Sequence, residues 1–280
     1  MKRLAFLVSL AALLCSCAGV NIKQPGIDSV KKIAVVTVSG SEDYENIEVR
    51  EGKKEKLLTI VSNAIKEKVD VVNDPEIEIV THGANALAKT LNGINGWSVI
   101  PFDQVTNNED VRAFFEDRET WSKVNAAFNR FGSGDGQRLV SPDGMYPLPY
   151  DRVAPRGMMY VNGERIEAPV LRGLGKLCES LGVDAVAVAE YFFYYETGMM
   201  TGVTRNVTPI VFVNVALIDK NGEKVLYTDN GWARIEGDYN AKVYGGYASL
   251  KEEQSVKAYK HAIDQIMEEF SKEAKEKLGK

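Results

Sequence analysis

Three runs of apolar residues constrain the fold of this chain more than any other feature. Residues 33–38, 185–195 and 209–218 are apolar at almost every position, rather than at alternate positions. Strands with this pattern are buried on both faces of their sheet, and short β-branched runs favour strands over helices. Helices must then cover both sides of the sheet. The sequence therefore predicts an α/β fold, with a mixed sheet covered by helices.

The order of the remaining segments indicates a single domain over residues 31–280. The expected elements are helices at 57–68, 84–91, 111–131 and 169–181, a long C-terminal helix, and short strands at 77–80 and 97–101. Residues 97–167 form a central insertion, whose later part, 132–167, is rich in loops because it holds six glycines and four prolines. The chain contains neither an internal repeat nor a linker long enough to separate two domains.

Two Asn-Gly pairs predict β-hairpins. Asn162-Gly163 separates the short runs 159–161 and 164–166, and Asn221-Gly222 separates the third apolar run from a returning strand at 225–235. Asn and Gly tolerate the positive φ angles that two-residue turns require, so both pairs favour tight connections between antiparallel strands.

The first twenty residues have the pattern of an export signal. Lys2 and Arg3 precede an apolar run, Leu4 to Leu14, that is too short to cross a bilayer as a permanent helix. We therefore expect residues 1–16 to be a signal peptide that is removed from the mature protein. Residues 17–30 are then expected to act as a tether ahead of the domain.

The end of this segment resembles the lipoprotein box of bacterial proteins. Leu14 lies three residues before Cys17, and the small Ser16 lies directly before it, whereas Cys15 departs from the usual small or β-branched residue. The resemblance implies that the Cys17 sulfur carries a diacylglyceryl group and holds the protein on a membrane. In a Gram-negative cell, Ala18 would favour the outer membrane, with the domain facing the periplasm. The alternative is an ordinary signal peptide cut near Ala18.

Few residues are available for catalysis or metal binding. Once Cys15 has left and Cys17 is acylated, Cys178 has no partner, and its position on an apolar helical stripe predicts a buried thiol. His82 and His261 have no recognisable catalytic partner, and the cysteines and histidines are too few to close a zinc site. We therefore expect no catalytic residue, metal or other cofactor. A net charge of −5 offers no electrostatic reason to bind nucleic acid.

The end of the second apolar run is a candidate surface for a protein partner. An aromatic strand runs there into a Met-rich loop, and both residue types favour protein interfaces. An alternative is that the strand is simply central, since apolar strands need no functional explanation. The residues that we expect to contact a partner are Tyr191, Phe193, Tyr195, Met199 and Met200, together with Tyr160 of the insertion.

Several segments resemble a group of small envelope lipoproteins. Lys32 to Val36 reads as a Lys-Ile-Ala-Val-Val strand, 182–190 reads Gly-Val-Asp-Ala-Val-Ala-Val-Ala-Glu, and 216–226 forms the Asn-Gly hairpin. This set is similar to lipoproteins related to the curli secretion lipoprotein and to the penicillin-binding-protein activators, over 31–68 and 168–278. The resemblance implies a non-catalytic protein that assembles or regulates other envelope proteins, with a homo-oligomer left open.

Three functions follow from these observations, in decreasing order of support. The first is a lipid-anchored protein that binds or assembles other envelope proteins. The second is a subunit of an oligomeric outer-membrane secretion channel, which is less favoured because 191–206 alternates poorly and contains Arg205. The third is a ligand-binding or hydrolytic lipoprotein, for which no motif argues.

Overall fold

The computed structural model describes most of the chain from residue 19 onward. The described ranges are 19–41, 47–48, 75–94, 96–131, 139–155, 157–197, 206–228, 231–234, 239–240, 242–244, 247–249 and 252–279. The strands are β1 (Val20–Ile22), β2 (Lys32–Ser41), β3 (Ile47–Glu48), β4 (Ser98–Val99), β5 (Leu139–Val140), β6 (Tyr160–Val161), β7 (Glu164–Arg165), β8 (Ala185–Thr197), β9 (Asn206–Asp219), β10 (Lys224–Thr228), β11 (Gly231–Arg234), β12 (Tyr239–Asn240), β13 (Lys242–Tyr244) and β14 (Tyr247–Ser249). The helices are α1 (Pro75–Asn92), α2 (Phe102–Thr106), α3 (Glu109–Glu116), α4 (Arg118–Asn129), α5 (Ala168–Leu181) and α6 (Glu252–Lys277), with short 3₁₀ turns at Gly26–Ser29 and Tyr150–Arg152. The helix expected at 57–68 lies outside the described residues.

The strands form one large mixed sheet and two small ones. Within the described ranges the large sheet has nine strands, and its main path follows the order β1-β10-β9-β8-β2-β4. β11 and β12 also pair with β9, and β5 pairs with β2. β2 runs parallel to β4 and β8, whereas β9 is antiparallel to β8 and β10. The mixed α/β architecture predicted from the apolar runs is therefore confirmed.

The three longest strands lie side by side at the centre of the large sheet. β8 pairs with β9 along its whole length, from Ala185 opposite Asp219 to Thr197 opposite Val207. On its other side β8 pairs with β2, which is buried at every position from Ile33 to Ser41. Burial of both strand faces explains why the sequence is apolar at consecutive positions.

One face of the sheet is covered by α1 and α6. Leu87 of α1 and Ile263 of α6 are fully buried with Val35 of β2 in one apolar cluster. α6 is the long C-terminal helix expected from the sequence, and its predicted apolar stripe is buried from Val256 to Ala274. None of the described helices is both long enough and apolar enough to cross a membrane.

The prediction of a strand at 77–80 is wrong, because these residues belong to α1. Ile79, Val80, Ala84, Leu87 and Leu91 recur with the spacing of a helix and lie in the core on one side of it. The β-branched residues of 77–80 favour a strand locally, but the 3.6-residue period over five turns places far more apolar surface against the sheet. The strand expected at 97–101 is present only as β4.

The opposite face of the sheet is covered by α5 and by residues of the central insertion. Val105, Phe128 and Leu148 from the insertion are buried with Leu174 and Cys178 of α5. The insertion also begins inside the sheet, since β4 pairs in parallel with β2. The described residues between 97 and 167 therefore contribute to an integral layer of the domain, with the predicted helical region present as α3 and α4.

Both Asn-Gly pairs connect antiparallel strands, as predicted. Asn162 and Gly163 have φ angles of 53° and 83° between β6 and β7, and Gly222 has φ 74° between β9 and β10. The second turn also packs tightly on α5: a Cβ atom on Gly175 would lie 2.7 Å from the backbone nitrogen of Gly222. Glycine at 175 is thus required by the approach of the helix to the turn.

The burial predicted for Cys178 is confirmed and has a measurable consequence. The Cys178 thiol is 1% exposed, and burial raises its pKa to about 12. The reactive thiolate is therefore about a thousand times rarer than in a free cysteine at neutral pH.

We expect Cys178 to resist a maleimide in the folded protein and to react rapidly in urea, as measured by mass spectrometry of its peptide. Equal labelling rates in both conditions would contradict the buried position of the Cys178 thiol on the inner side of α5.

Candidate functional site

The structure places two of the expected partner-binding aromatics in the core. Tyr191 and Phe193 of β8 are 0% and 3% exposed, under α1 and α6. The Tyr191 hydroxyl donates to the Gly83 carbonyl at 3.0 Å, and the Phe193 ring lies 5.1 Å from the Tyr259 ring. The expectation that Tyr191 and Phe193 contact a partner is therefore wrong for this fold, because two helices already cover them.

The aromatic residues of this strand do not distinguish a core from an interface, because both use the same residue types. A Cβ atom on Gly83 would lie 2.7 Å from the Tyr191 ring, so the glycine of α1 makes the space that Tyr191 fills. The inward direction of the Tyr191 ring depends on this contact with Gly83, which lies more than a hundred residues away in the sequence. The side chains of Tyr195, Met199 and Met200 lie outside the described residues.

The β6–β7 hairpin, in contrast, presents apolar side chains to solvent. Tyr160 is 52% exposed and Met158, just before the hairpin, is 78% exposed. The hairpin is fixed to the body by ion pairs of Glu164 with Arg172 and of Arg165 with Glu167, the latter at 2.6 Å. We refer to Met158 and Tyr160 as the hairpin surface. Tyr160 is thus the one described partner-binding candidate whose side chain lies on the outside.

On the face of the sheet that packs against the insertion, a row of polar side chains holds the insertion in place. The Thr37 hydroxyl donates to the Tyr146 carbonyl at 2.6 Å, and the Leu148 N–H donates to the Ser39 hydroxyl at 3.0 Å. One step further, the Tyr150 N–H donates to Glu190 Oε2 at 2.6 Å. Alternate residues of 146–150 therefore bond to side chains of β2 and β8, so this segment lies flat on the sheet without adding a strand.

Glu190 is the ionisable member of this polar row. It is 4% exposed, and burial raises the pKa of its carboxyl to about 7, against the opposing effect of the Tyr150 N–H. Of the neighbouring charges, Asp151 raises that pKa further and Arg152 lowers it. Arg152 is itself buried, donating to Asp151 at 2.7 Å and lying 4.3 Å above the Phe128 ring. The row thus contains a carboxyl that changes charge near neutral pH.

This polar row is not evident from the sequence. The available signal was Glu190 itself, a single acid inside a strand predicted to be buried on both faces. A buried acid needs a hydrogen-bond donor, so its presence implied a covering segment with a free N–H group. Which segment supplies that donor is a long-range fact that the pattern did not contain. In this arrangement the Glu190 carboxyl accepts a hydrogen bond from the Tyr150 backbone N–H, and its role is structural: it holds the insertion on the sheet.

His82 has a carboxylate partner that the sequence did not reveal. Its Nε2 lies 2.9 Å from Asp264 Oδ1, joining α1 to α6. One turn away along both helices, Lys260 pairs with Glu78 at 2.5 Å. Both pairs bridge the outer sides of the two helices, so they reinforce helix packing. Among the described residues, no group of three or more His, Cys, Asp or Glu side chains could hold a metal ion.

The N-terminal strand β1 is fixed to the body from both sides. Val20 is fully buried and lies opposite Thr228 of β10. Its N–H donates to Glu273 Oε1 at 3.1 Å, and the Lys277 ammonium donates to its carbonyl. These contacts with Glu273 and Lys277 of α6 are here named the junction. Residues from 20 onward therefore belong to the folded body, so within the expected tether at 17–30 only the residues ahead of β1 lie outside it.

Comparison with known proteins adds little to this picture. No protein-family model matches the sequence, and no curated protein matches it significantly. Among solved structures, the chain is similar to lipoprotein GNA1162 from Neisseria meningitidis, with 13% identity over 77% of this chain and 88% of that chain, at a TM-score of 0.27. Resemblance at this level does not define a function, which must come from the residues of the chain itself.

The pKa of Glu190 predicts a pH dependence of stability. The folded carboxyl holds its proton up to about pH 7, whereas the unfolded one loses it near its ordinary value of 4.5. Folding therefore binds a proton between these values, and the contribution of Glu190 to the free energy of unfolding falls as pH rises from 4.5 to 7. Glu190→Gln keeps the acceptor for the Tyr150 N–H but cannot ionise. We expect urea unfolding to show that Glu190→Gln removes a loss on the order of 3 kcal/mol in the free energy of unfolding between pH 4.5 and 8.

The control for this measurement is Glu179→Gln, at an exposed position on α5. Its free energy of unfolding should follow the wild type at every pH. An equal pH dependence in the wild type and in Glu190→Gln would show that Glu190 is ionised or solvated in the folded protein.

Proposed function

We propose that this protein is a bacterial lipoprotein, held on a membrane by a diacylglyceryl group on Cys17, whose α/β body contacts other envelope proteins without catalysing a reaction. The observation that carries the proposal is the segment Leu4 to Cys17, which combines a short apolar run, Leu4 to Leu14, with a cysteine at the spacing of a lipoprotein box. Lys2 and Arg3 supply the positive start that such signals have.

The energetics of the anchor are sufficient for stable attachment. Each buried CH₂ group of an acyl chain contributes about 0.8 kcal/mol, so a single chain binds reversibly whereas two chains bind durably. A diacylglyceryl group brings two chains to one sulfur atom. A single residue can thus retain the whole body on the membrane, with no requirement on the surface of the α/β domain.

The hairpin surface is the part of the body that we propose contacts a protein partner. Met158 and Tyr160 are exposed, and Met and Tyr are enriched at interfaces. The pairing of β6 with β7 and the bond from the Ile166 N–H to the Met159 carbonyl, at 3.0 Å, already order the hairpin backbone, so binding would order little more of it. Preorganisation of this kind lowers the entropic cost of association.

The anchor can be tested with a matched pair of cysteine variants. Cys17→Ser should abolish incorporation of an alkyne-labelled fatty acid and release the protein from the membrane fraction or leave an uncleaved precursor. Cys15→Ser, two residues earlier, should retain both the label and the membrane fraction, because that residue leaves with the signal peptide. Fatty-acid incorporation that persists in Cys17→Ser would show that another residue is acylated.

The partner contact can be tested with a photocrosslinking amino acid in intact cells. A benzoylphenylalanine at position 160 should yield a protein adduct of defined mass, and Met158→Asp should remove it by placing a charge within the contact. The control is the same amino acid in place of Lys89. This residue is exposed on α1, the helix that covers the other face of the sheet. Identical adducts from both positions, or none from position 160, would contradict the assignment of the hairpin surface.

A further inference from the structure

The distance between the anchor and the folded body is set by very few residues. Cys17 precedes Val20 by three positions, and Val20 is fixed by hydrogen bonds on both sides of its peptide group. Three residues span at most about 10 Å when fully extended. An acylated Cys17 must therefore lie close to the junction, whatever path the intervening residues take.

The junction lies at one end of the molecule's longest helix. Glu273 and Lys277, which clamp Val20, belong to the last two turns of α6, and Leu278 packs against the apolar core beside them. α6 contains 26 residues, so its first residue lies nearly 40 Å from its last, at 1.5 Å per residue. The two ends of α6 thus differ greatly in their distance from Cys17.

We propose that the last turns of α6, together with β1, form the surface of the body that faces the membrane and rests on phospholipid headgroups. The proposal depends on the lipid anchor at Cys17 and goes further, because it fixes which side of the domain faces the bilayer. β1 lies at the edge of the main sheet path, so no further strand of that path separates the junction from the membrane.

Charge makes a small contribution to this contact. The exposed or half-exposed Lys272, Lys275 and Lys277 alternate with Glu273 and Glu276 in the same turns. Each lysine near an anionic bilayer contributes about 1 kcal/mol, which neighbouring acids largely cancel. The orientation is therefore imposed by the short connection, and it should change little between zwitterionic and anionic vesicles or with added salt.

The proposal is tested with fluorescent labels at the two ends of α6. Glu276→Cys places a thiol next to the junction, and Lys257→Cys places one nineteen residues earlier, at an exposed position near the start of the helix. Cys178 is buried and stays unlabelled in the folded protein. The mature lipidated protein is reconstituted in phosphatidylcholine vesicles, with and without phosphatidylglycerol, that carry a short-range nitroxide quencher on the headgroup.

We expect the label at position 276 to be quenched several-fold more strongly than the label at 257, in both lipid mixtures. A flexible Gly-Ser segment of twelve residues inserted after Ala18 provides the control. It adds about 20 Å of root-mean-square reach, so it should remove the difference while leaving the folded residues unchanged.

Two outcomes separate the possible failures. Protein that does not float with the vesicles would overturn the lipid anchor and the orientation together. Protein that floats, but shows equal quenching at both positions or stronger quenching at 257, would overturn the orientation and leave the anchor intact.

Discussion

The burial of β2, β8 and β9 on both faces is the constraint on which the rest of the structure depends. These strands carry apolar side chains on both sides, so each side requires a covering layer. α1 and α6 supply one layer, and α5 with the central insertion supplies the other. A segment rich in glycine and proline can serve in this second layer because polar side chains of the sheet bond directly to its backbone.

These layers also determine which features are available for function. The aromatic side chains of Tyr191 and Phe193 stabilise the first layer, and Glu190 fixes the second. Among the described residues, Met158 and Tyr160 of the hairpin surface lie on the outside, on the insertion side. The junction lies where β1 meets the end of α6.

Features that depend on local pattern could be predicted from the sequence, and features that depend on distant pairing could not. The α/β class, the long C-terminal helix, the two Asn-Gly turns and the burial of Cys178 all follow from periodicity or turn chemistry. Residues 77–80 favour a strand by their local β-branching, but they belong to a helix because the longer helical period buries more apolar surface. The partner of Glu190, the helix cover over Tyr191 and the clamp on Val20 each join residues that are remote in sequence, and no local pattern encodes them.

The central claim is that Cys17 becomes the acylated first residue of the mature protein, directly ahead of a body that is already folded at Val20. Mass spectrometry of the mature protein extracted from membranes tests it most directly. We expect an N-terminal peptide that begins at Cys17 and carries the mass of a diacylglyceryl thioether. A mature terminus at Ala18 or beyond, or an unmodified Cys17 thiol in membrane-bound protein, would contradict it.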